Sequence, residues 1–369
     1  MRILYDHQCF TQQEYGGVSR YHFQLINELK KLPDVDVNLS LKYSNNFYIN
    51  RDNSINVKQF IPGKNFYFKR TILDYINRRF TIPQIKNGRY DILHPTYYNP
   101  YFLKYINNKP FVITVYDCIH EKYPEIINSI DKTLEYKKLL LSRAEKIIAI
   151  SENTKTDLIN IYNIPSDKIE VVYLAASIEK QNDLDPNLFD IPDKYLLYVG
   201  HRNYYKNFNN FLSAIESLLI NDSDLYLIAA GGGNFNSNEL KLFESKKLKN
   251  KIIYKNADDK SLIFLYSKAL AFVFPSLYEG FGIPALEAMN CDCPVVLSNT
   301  SSLPEVGGDA AIYFNPENID DMRDKISSVI FSNELRQDLI KKGSAQRLKF
   351  SFQKTAIETK TVYESLLNK

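Results

Sequence analysis

Residues 274–288 read Phe274-Pro275-Ser276-Leu277-Tyr278-Glu279-Gly280-Phe281-Gly282-Ile283-Pro284-Ala285-Leu286-Glu287-Ala288. They close an apolar run, 269–274, whose length and composition suit a buried strand. Two glycines, Gly280 and Gly282, then turn the chain, and Pro284 stands where a helix opens. The order is strand, glycine-rich turn, helix. Such a junction offers the main-chain N–H groups of the first helical turn to a ligand, and a phosphate or sugar oxygen can accept from them. Glu279 falls in the turn and Glu287 one turn into the helix. One carboxylate can reach a sugar and the other a ribose.

The rest of the chain repeats this pattern. Its 369 residues suit two domains of ordinary size. In the first half, strands are predicted at 2–5, 35–41, 92–94, 111–116, 146–150 and 170–173, with helical patterns at 19–31, 133–144 and 154–162. A polar, aperiodic stretch at 177–193, with Pro186 and Pro192, reads as a linker. Strands follow at 195–199, 225–229, 252–254, 271–274 and 294–297, and helices run from about 319 to 367. Alternation of this kind predicts α/β architecture, with a doubly wound parallel sheet in each domain. The expected division is 1–176, linker 177–193, 194–350 and a terminal helix 351–369. Ligands of such sheets bind beyond the carboxyl ends of the strands.

Several loops fall there. Gly16-Gly17-Val18-Ser19 lies between the first strand and the first helix; the glycines permit positive φ and close approach, and Ser19 suits an N-cap. His94-Pro95-Thr96-Tyr97-Tyr98 and Thr114-Val115-Tyr116-Asp117-Cys118-Ile119-His120 each end or follow a strand. Ser151 reads as a helix cap. Tyr198-Val199-Gly200-His201-Arg202-Asn203-Tyr204-Tyr205-Lys206-Asn207 opens the second half with two cations. Gly231-Gly232-Gly233 follows a strand without completing a dinucleotide fingerprint, and reads as a strand-to-helix turn and not an NAD site.

Taken whole, the block with Pro275-Ser276, Glu279-Gly280-Phe281-Gly282, Pro284 and Leu286-Glu287-Ala288 resembles the signature of retaining glycosyltransferases of family 4, which have the GT-B fold. Two glutamates with seven residues between them, here Glu279 and Glu287, are its hallmark. The resemblance implies two Rossmann-like domains facing across a cleft that closes to exclude water, with a C-terminal helix crossing back to the first. It implies a nucleoside-diphosphate sugar as co-substrate, retention of anomeric configuration, and no metal or other cofactor. Glu287 would bind the ribose, and Glu279 with Gly280, Phe281 and Gly282 the transferred sugar. Arg202 and Lys206 would hold the diphosphate, and Gly16 and Gly17 would lie against it. Relatives commonly carry a histidine where Tyr116 stands, so Asp117 and His120 become candidates for contact with donor sugar or acceptor. His94, Tyr97 and Tyr116 are expected on the acceptor side. Similarity of the first domain to O-antigen mannosyltransferases makes GDP-mannose the first expected donor, with a saccharide or lipid-linked saccharide as acceptor.

Composition bounds the alternatives. A net charge of +3 is too mild for a nucleic-acid partner. Residues 61–90 nevertheless hold seven cations against one acid, Asp74, interleaved with Phe66, Tyr67, Phe68 and Phe80. A basic, aromatic stretch of this kind can rest on an anionic membrane surface. Cys9, Cys118, Cys291 and Cys293 match no zinc pattern, and so few cysteines suit a reducing cytosol. The chain begins directly in a strand pattern, without a leader-like segment, and no apolar run is long enough for a bilayer span. The expected location is cytoplasmic, peripheral at the inner face of the plasma membrane. Asp34-Val35-Asp36 and Asp222-Ser223-Asp224 read as polar approaches to strands, so no metal site is expected. Two rival readings are a nucleotide-sugar epimerase of the same architecture and an inactive nucleotide-sugar-binding subunit.

Overall fold

A computed structural model describes residues 1–52, 54–126, 131–181, 190–202 and 204–367. The chain divides into two units, Met1–Leu174 with Phe352–Lys369, and Ala175–Ser351. Residues 182–189 of the expected linker lie outside the described residues.

The first unit carries strands β1 (Arg2–Tyr5), β2 (Asp36–Leu39), β3 (Ile92–His94), β4 (Val112–Val115), β5 (Lys146–Ala149) and β6 (Ile169–Val171). They form two parallel three-stranded sheets, β2-β1-β3 and β4-β5-β6. A parallel bridge between Leu93 and Phe111 joins them edge to edge. The second unit carries β7 (Lys194–Val199), β8 (Leu225–Ala230), β9 (Ile252–Lys255), β10 (Ala271–Phe274), β11 (Val295–Ser298) and β12 (Ala311–Phe314). Its six strands run in the order β12-β11-β10-β7-β8-β9, all parallel. Read from β9, this is the Rossmann order, whose direction of winding reverses between β7 and β10. The equivalent reversal in the first unit lies between β1 and β3.

Burial on both faces explains the composition of the central strands. Ala271, Phe272, Val273 and Phe274 are all buried, as are Val295, Val296 and Leu297. Helix Phe208–Asn221 covers one face with Phe208, Phe211, Leu212, Ile215 and Leu219, spaced to fall on a single stripe. Strand β12 was not expected. Its four residues sit at a sheet edge, with Ala311 and Phe314 buried and the two between them partly covered, a strand too short for a period to register.

Two caps differ in outcome. Ser151 caps helix Glu152–Tyr162 as expected, its Oγ accepting from the Thr154 N–H at 3.0 Å. The first long helix is Gly17–Leu29, so Ser19 lies inside its first turn instead of capping it. There the Gln13 side-chain oxygen accepts the Ser19 N–H at 3.0 Å, and Ser19 Oγ donates to the Gly16 carbonyl.

The last helix, Phe352–Leu367, belongs to the first unit and packs on helix Gly17–Leu29. Thr355 Oγ1 donates to the Tyr173 carbonyl at 2.8 Å. Tyr363 is wholly buried, and its hydroxyl shares hydrogen bonds with Tyr5 Oη at 2.5 Å and His94 Nδ1 at 2.6 Å. No helix among the described residues is long and apolar enough to cross a membrane.

Candidate active site

The loops leaving β7 and β10 meet at the switch point of the second unit. The Leu277 N–H donates to the Tyr205 carbonyl at 2.8 Å, tying one loop to the other. Lys206 Nζ then reaches Glu279 Oε1 at 2.6 Å, with only 16% and 11% of the two side chains exposed. The ammonium also lies 5.5 Å from the centre of the Phe274 ring. A charge-assisted bond between largely buried partners fixes both heads in place.

The turn is held from a third direction. Ser301 Oγ accepts the Glu279 N–H at 2.9 Å, and Ser302 Oγ donates to the carbonyls of Glu279 and Phe281 at 2.9 and 2.8 Å. Both serines follow β11 and were not foreseen; the polar run Ser298-Asn299-Thr300-Ser301-Ser302 directly after an apolar strand is the signal that marks them. Gly282 has φ +115°, and a Cβ there would meet Leu303 Cδ2 at 2.8 Å, so the turn needs glycine. Helix Ile283–Asn290 starts next, with Pro284 in its first turn. Glu287 is buried on that helix, and its Oε2 accepts from Tyr266 Oη at 3.4 Å.

Arg202 departs from expectation. Its Nε donates to Glu239 Oε1 at 2.5 Å, Nη1 to the Gly231 carbonyl at 3.1 Å, and Nη2 to the carbonyls of Gly233 and Asn234 at 2.8 and 3.2 Å. Only 5% of the side chain is exposed. The guanidinium therefore braces the glycine turn and does not stand open as a diphosphate cation. The fit is backbone on backbone, for a Cβ on Gly232 would lie 2.5 Å from the Gly200 carbonyl oxygen. Replacing Arg202 by Lys is expected to speed amide exchange across 231–236 at least roughly tenfold, because a point charge cannot serve a carboxylate and three carbonyls together. Unchanged exchange would mean that the turn holds itself.

In the first unit the predicted residues separate. His94 is wholly enclosed at the end of β3, with Nδ1 on Tyr363 and Nε2 on Thr114 Oγ1 at 3.0 Å. Both nitrogens serve the interior, so His94 is not an acceptor contact. Tyr116 is also turned inward. Its hydroxyl bonds the buried His22 Nε2 at 2.6 Å, which removes it from the acceptor side. Tyr97 is partly exposed and lines a cavity with Asn99. Asp117 accepts the Ile119 N–H at 3.0 Å, and its carbonyl takes a bond from the buried Lys137, which also pairs with Glu121 at 2.7 Å. His120 Nε2 stands 4.0 Å from Asp131 Oδ2 and keeps 30% exposure. Gly16 is extended, with φ 172°, and Gly17 begins the helix, so neither uses the left-handed region. At Gly16 the constraint is space, since a Cβ would meet Gln13 Oε1 at 2.5 Å. At Gly17 nothing lies within 4 Å of that position. Asp222 pairs with Lys194.

Comparison with known proteins fits this geometry. The family described as Glycosyltransferase Family 4 matches residues 15–180, and that described as Glycosyl transferases group 1 matches residues 179–346. O-antigen chain mannosyltransferase B of Escherichia coli is 30% identical over 282 residues, covering 74% of this chain and 73% of that protein. The chain is a family 4 glycosyltransferase. The serotype-specific mannosyltransferase WbdA of Escherichia coli is 32% identical over 228 residues, covering 58% of the glycosyltransferase but only 28% of its own length. The solved structure of Anabaena HepE, in complex with UDP and glucose, superposes with a TM-score of 0.73 at 15% identity, covering 99% of the glycosyltransferase and 98% of that chain. The glycosyltransferase thus has the GT-B fold, and its Lys206–Glu279 pair lies within the second of the two matched regions.

Proposed function

We propose that this glycosyltransferase moves a hexose, mannose from GDP-mannose in the first instance, onto a saccharide or lipid-linked saccharide during synthesis of an O-antigen or related surface polysaccharide. The relatives named as mannosyltransferases support the sugar. The observation that carries the donor site is the Lys206–Glu279 pair at the β7/β10 switch point, beside the turn into helix Ile283–Asn290. Lys206 opposes the charge that grows on the leaving diphosphate. Glu279 and the Gly280-Phe281-Gly282 backbone hold hydroxyls of the transferred sugar, and Glu287, joined by Tyr266, takes the ribose. Arg202 acts on this site through the glycine turn.

The reaction proceeds with retention and without a metal. The bond between the anomeric carbon and the phosphate oxygen breaks, the acceptor oxygen bonds the same face of that carbon, and the acceptor proton passes to the departing phosphate. No separate base is required. Asp117 and His120 are the first unit's candidates for contact with the sugars.

The basic stretch supports peripheral docking on an anionic membrane at the cytoplasmic face. Tyr67 is 93% exposed, and Phe68, Ile72 and Tyr75 project from successive turns at the start of helix Lys69–Asn87, with Lys64, Arg70 and Arg79 around them. Exposed rings can enter the headgroup layer while the cations meet its charge.

The test is thermal stabilisation by UDP, GDP, ADP, dTDP and their hexose conjugates. A ligand at about 100 times its Kd adds about 2.7 kcal/mol, a shift of several degrees. Selective stabilisation by GDP and GDP-mannose is expected. Selectivity for another nucleotide would replace the sugar, and no shift at millimolar ligand would overturn the donor site.

A further inference from the structure

The serines that hold the Glu279 turn belong to a run of hydroxyls after β11, and one of them sits in a costly backbone conformation. Ser298 Oγ donates to the Phe274 carbonyl at 3.3 Å, and Thr300 Oγ1 to the Ser276 carbonyl at 3.3 Å. Ser302 Oγ, wholly buried, serves the carbonyls of Glu279 and Phe281. Ser301 works in the opposite sense, its Oγ accepting the Glu279 N–H. Adjacent serines therefore grip both peptide groups that flank the Glu279 α-carbon. With Lys206 Nζ on the carboxylate, Glu279 is fixed at both ends.

The hydroxyl at 301 comes at a cost. Ser301 has φ +52°, in the left-handed region that disfavours any residue with a Cβ. Glycine would adopt this backbone without strain. It would also keep the main-chain closure of the turn, in which the Leu303 N–H donates to the Thr300 carbonyl at 3.3 Å. What glycine would lack is the Oγ that takes the Glu279 N–H. A water there could satisfy the N–H without fixing its direction. Strain retained in a non-glycine residue beside a functional group points to a constraint other than stability.

We infer that Ser301 is a positioning residue, whose hydroxyl sets the direction of the Glu279 carboxylate toward the transferred sugar at the expense of backbone stability. The inference rests on the proposed donor site and adds to it a residue that acts through Glu279. A carboxylate misplaced by about 1 Å can cost roughly 10²-fold in rate, so a single hydroxyl suffices to matter.

Two variants separate the hydroxyl from the backbone. Ser301→Ala removes Oγ and keeps the strain, whereas Ser301→Gly removes both. The experiment uses the full chain, with GDP-mannose as donor and octyl α-mannoside as acceptor. Both variants are expected to lower kcat at least about tenfold, because both lose the same hydroxyl. KM for GDP-mannose should stay within about threefold, since Lys206 and Glu287 are untouched. The melting temperatures should separate, with Ser301→Gly within about two degrees of the native protein and Ser301→Ala several degrees lower. Activity then follows the hydroxyl while stability follows the backbone. Native kcat in Ser301→Gly, with any loss confined to Ser301→Ala, would make Ser301 merely structural and overturn the inference. Amide exchange gives a second readout that needs no substrate. The Glu279 N–H should exchange at least about tenfold faster in both variants while the amides of β10 keep their rates. An unchanged Glu279 amide would also overturn the inference. If the native protein is neither stabilised by a nucleotide sugar nor able to turn one over, the donor-site reading falls and the inference with it.

Discussion

Lys206→Ala is expected to lower kcat by roughly 10²–10³, the usual cost of removing one group that stabilises transition-state charge. The bond to Glu279 is 2.6 Å long and both side chains are largely covered, so the ammonium is held at one point instead of sampling solvent. Its removal has two consequences. In the proposed donor site, the leaving diphosphate loses the cation that opposes its growing charge. Glu279 is left as a buried carboxylate without that partner, and it then repels the same phosphate. Because the diphosphate is more negative in the transition state than in the bound donor, kcat should fall more than KM rises. Lys206→Arg should recover only part of the loss, since a planar fork on a longer stem cannot occupy the position of a point charge between Glu279 and the Phe274 ring. Steady-state kinetics on protein with an unchanged melting temperature gives the answer. Transfer within tenfold of the native rate in Lys206→Ala would remove the pair from the chemistry.

The second unit was legible because its chemistry is local. The Glu279 turn lies between a strand and a helix a few residues apart, and those residues alone dictate where the loop goes. What escaped was the support supplied from elsewhere in the chain. Ser301 and Ser302 hold the turn from beyond the next strand, and nothing in the spacing of 274–288 points to them. Arg202 shows the same limit in another form. Its place in a loop after β7 was readable, but the carbonyls it meets belong to a glycine turn after β8, and only their positions reveal that the guanidinium is committed.

In the first unit the strands were readable and the directions of their terminal side chains were not. Residues at the end of a strand alternate between faces. For a three-residue strand such as β3, buried throughout, hydrophobicity does not say which face is which. His94 therefore read as a ligand contact when it is the partner of Tyr363 on the last helix. Tyr116 was misplaced for a related reason, its hydroxyl being taken up by a histidine of helix Gly17–Leu29. The residues that do face the cavity, among them Gln12 and Tyr136, sit in segments without a motif.

These inward histidines lead to an expected loss of stability in mild acid. Burial drives the His94 pKa from its ordinary 6.5 down to about 3. Burial, with the charge His94 would carry as a further cause, also drives His22 well below its ordinary value. The unfolded chain binds these protons near pH 6.5, whereas the folded chain refuses them until far lower pH. Stability is thus fully present above about pH 6.5 and is lost as pH falls below it, the direction required when the unfolded state binds more protons. Between pH 7 and 5, His94 alone should account for about 2 kcal/mol, with a further loss from His22. The depressed carboxylates do not confuse this window, since Asp74, Asp91 and Asp131 lose stabilisation only as pH falls toward and below their unfolded value of 3.8. The last helix is expected to report the change, because its Tyr363 bonds His94 directly. Amide exchange in helix Phe352–Leu367 should accelerate on going from pH 7 to 5, after correction for the intrinsic pH dependence of exchange, while β7, β8 and β10 of the second unit change little. Replacing His94 by Asn, which cannot titrate, should remove the His94 share of that acceleration and leave that of His22, even if it lowers stability at both pH values. Equal acceleration in native and His94→Asn protein would place the acid sensitivity in groups other than His94.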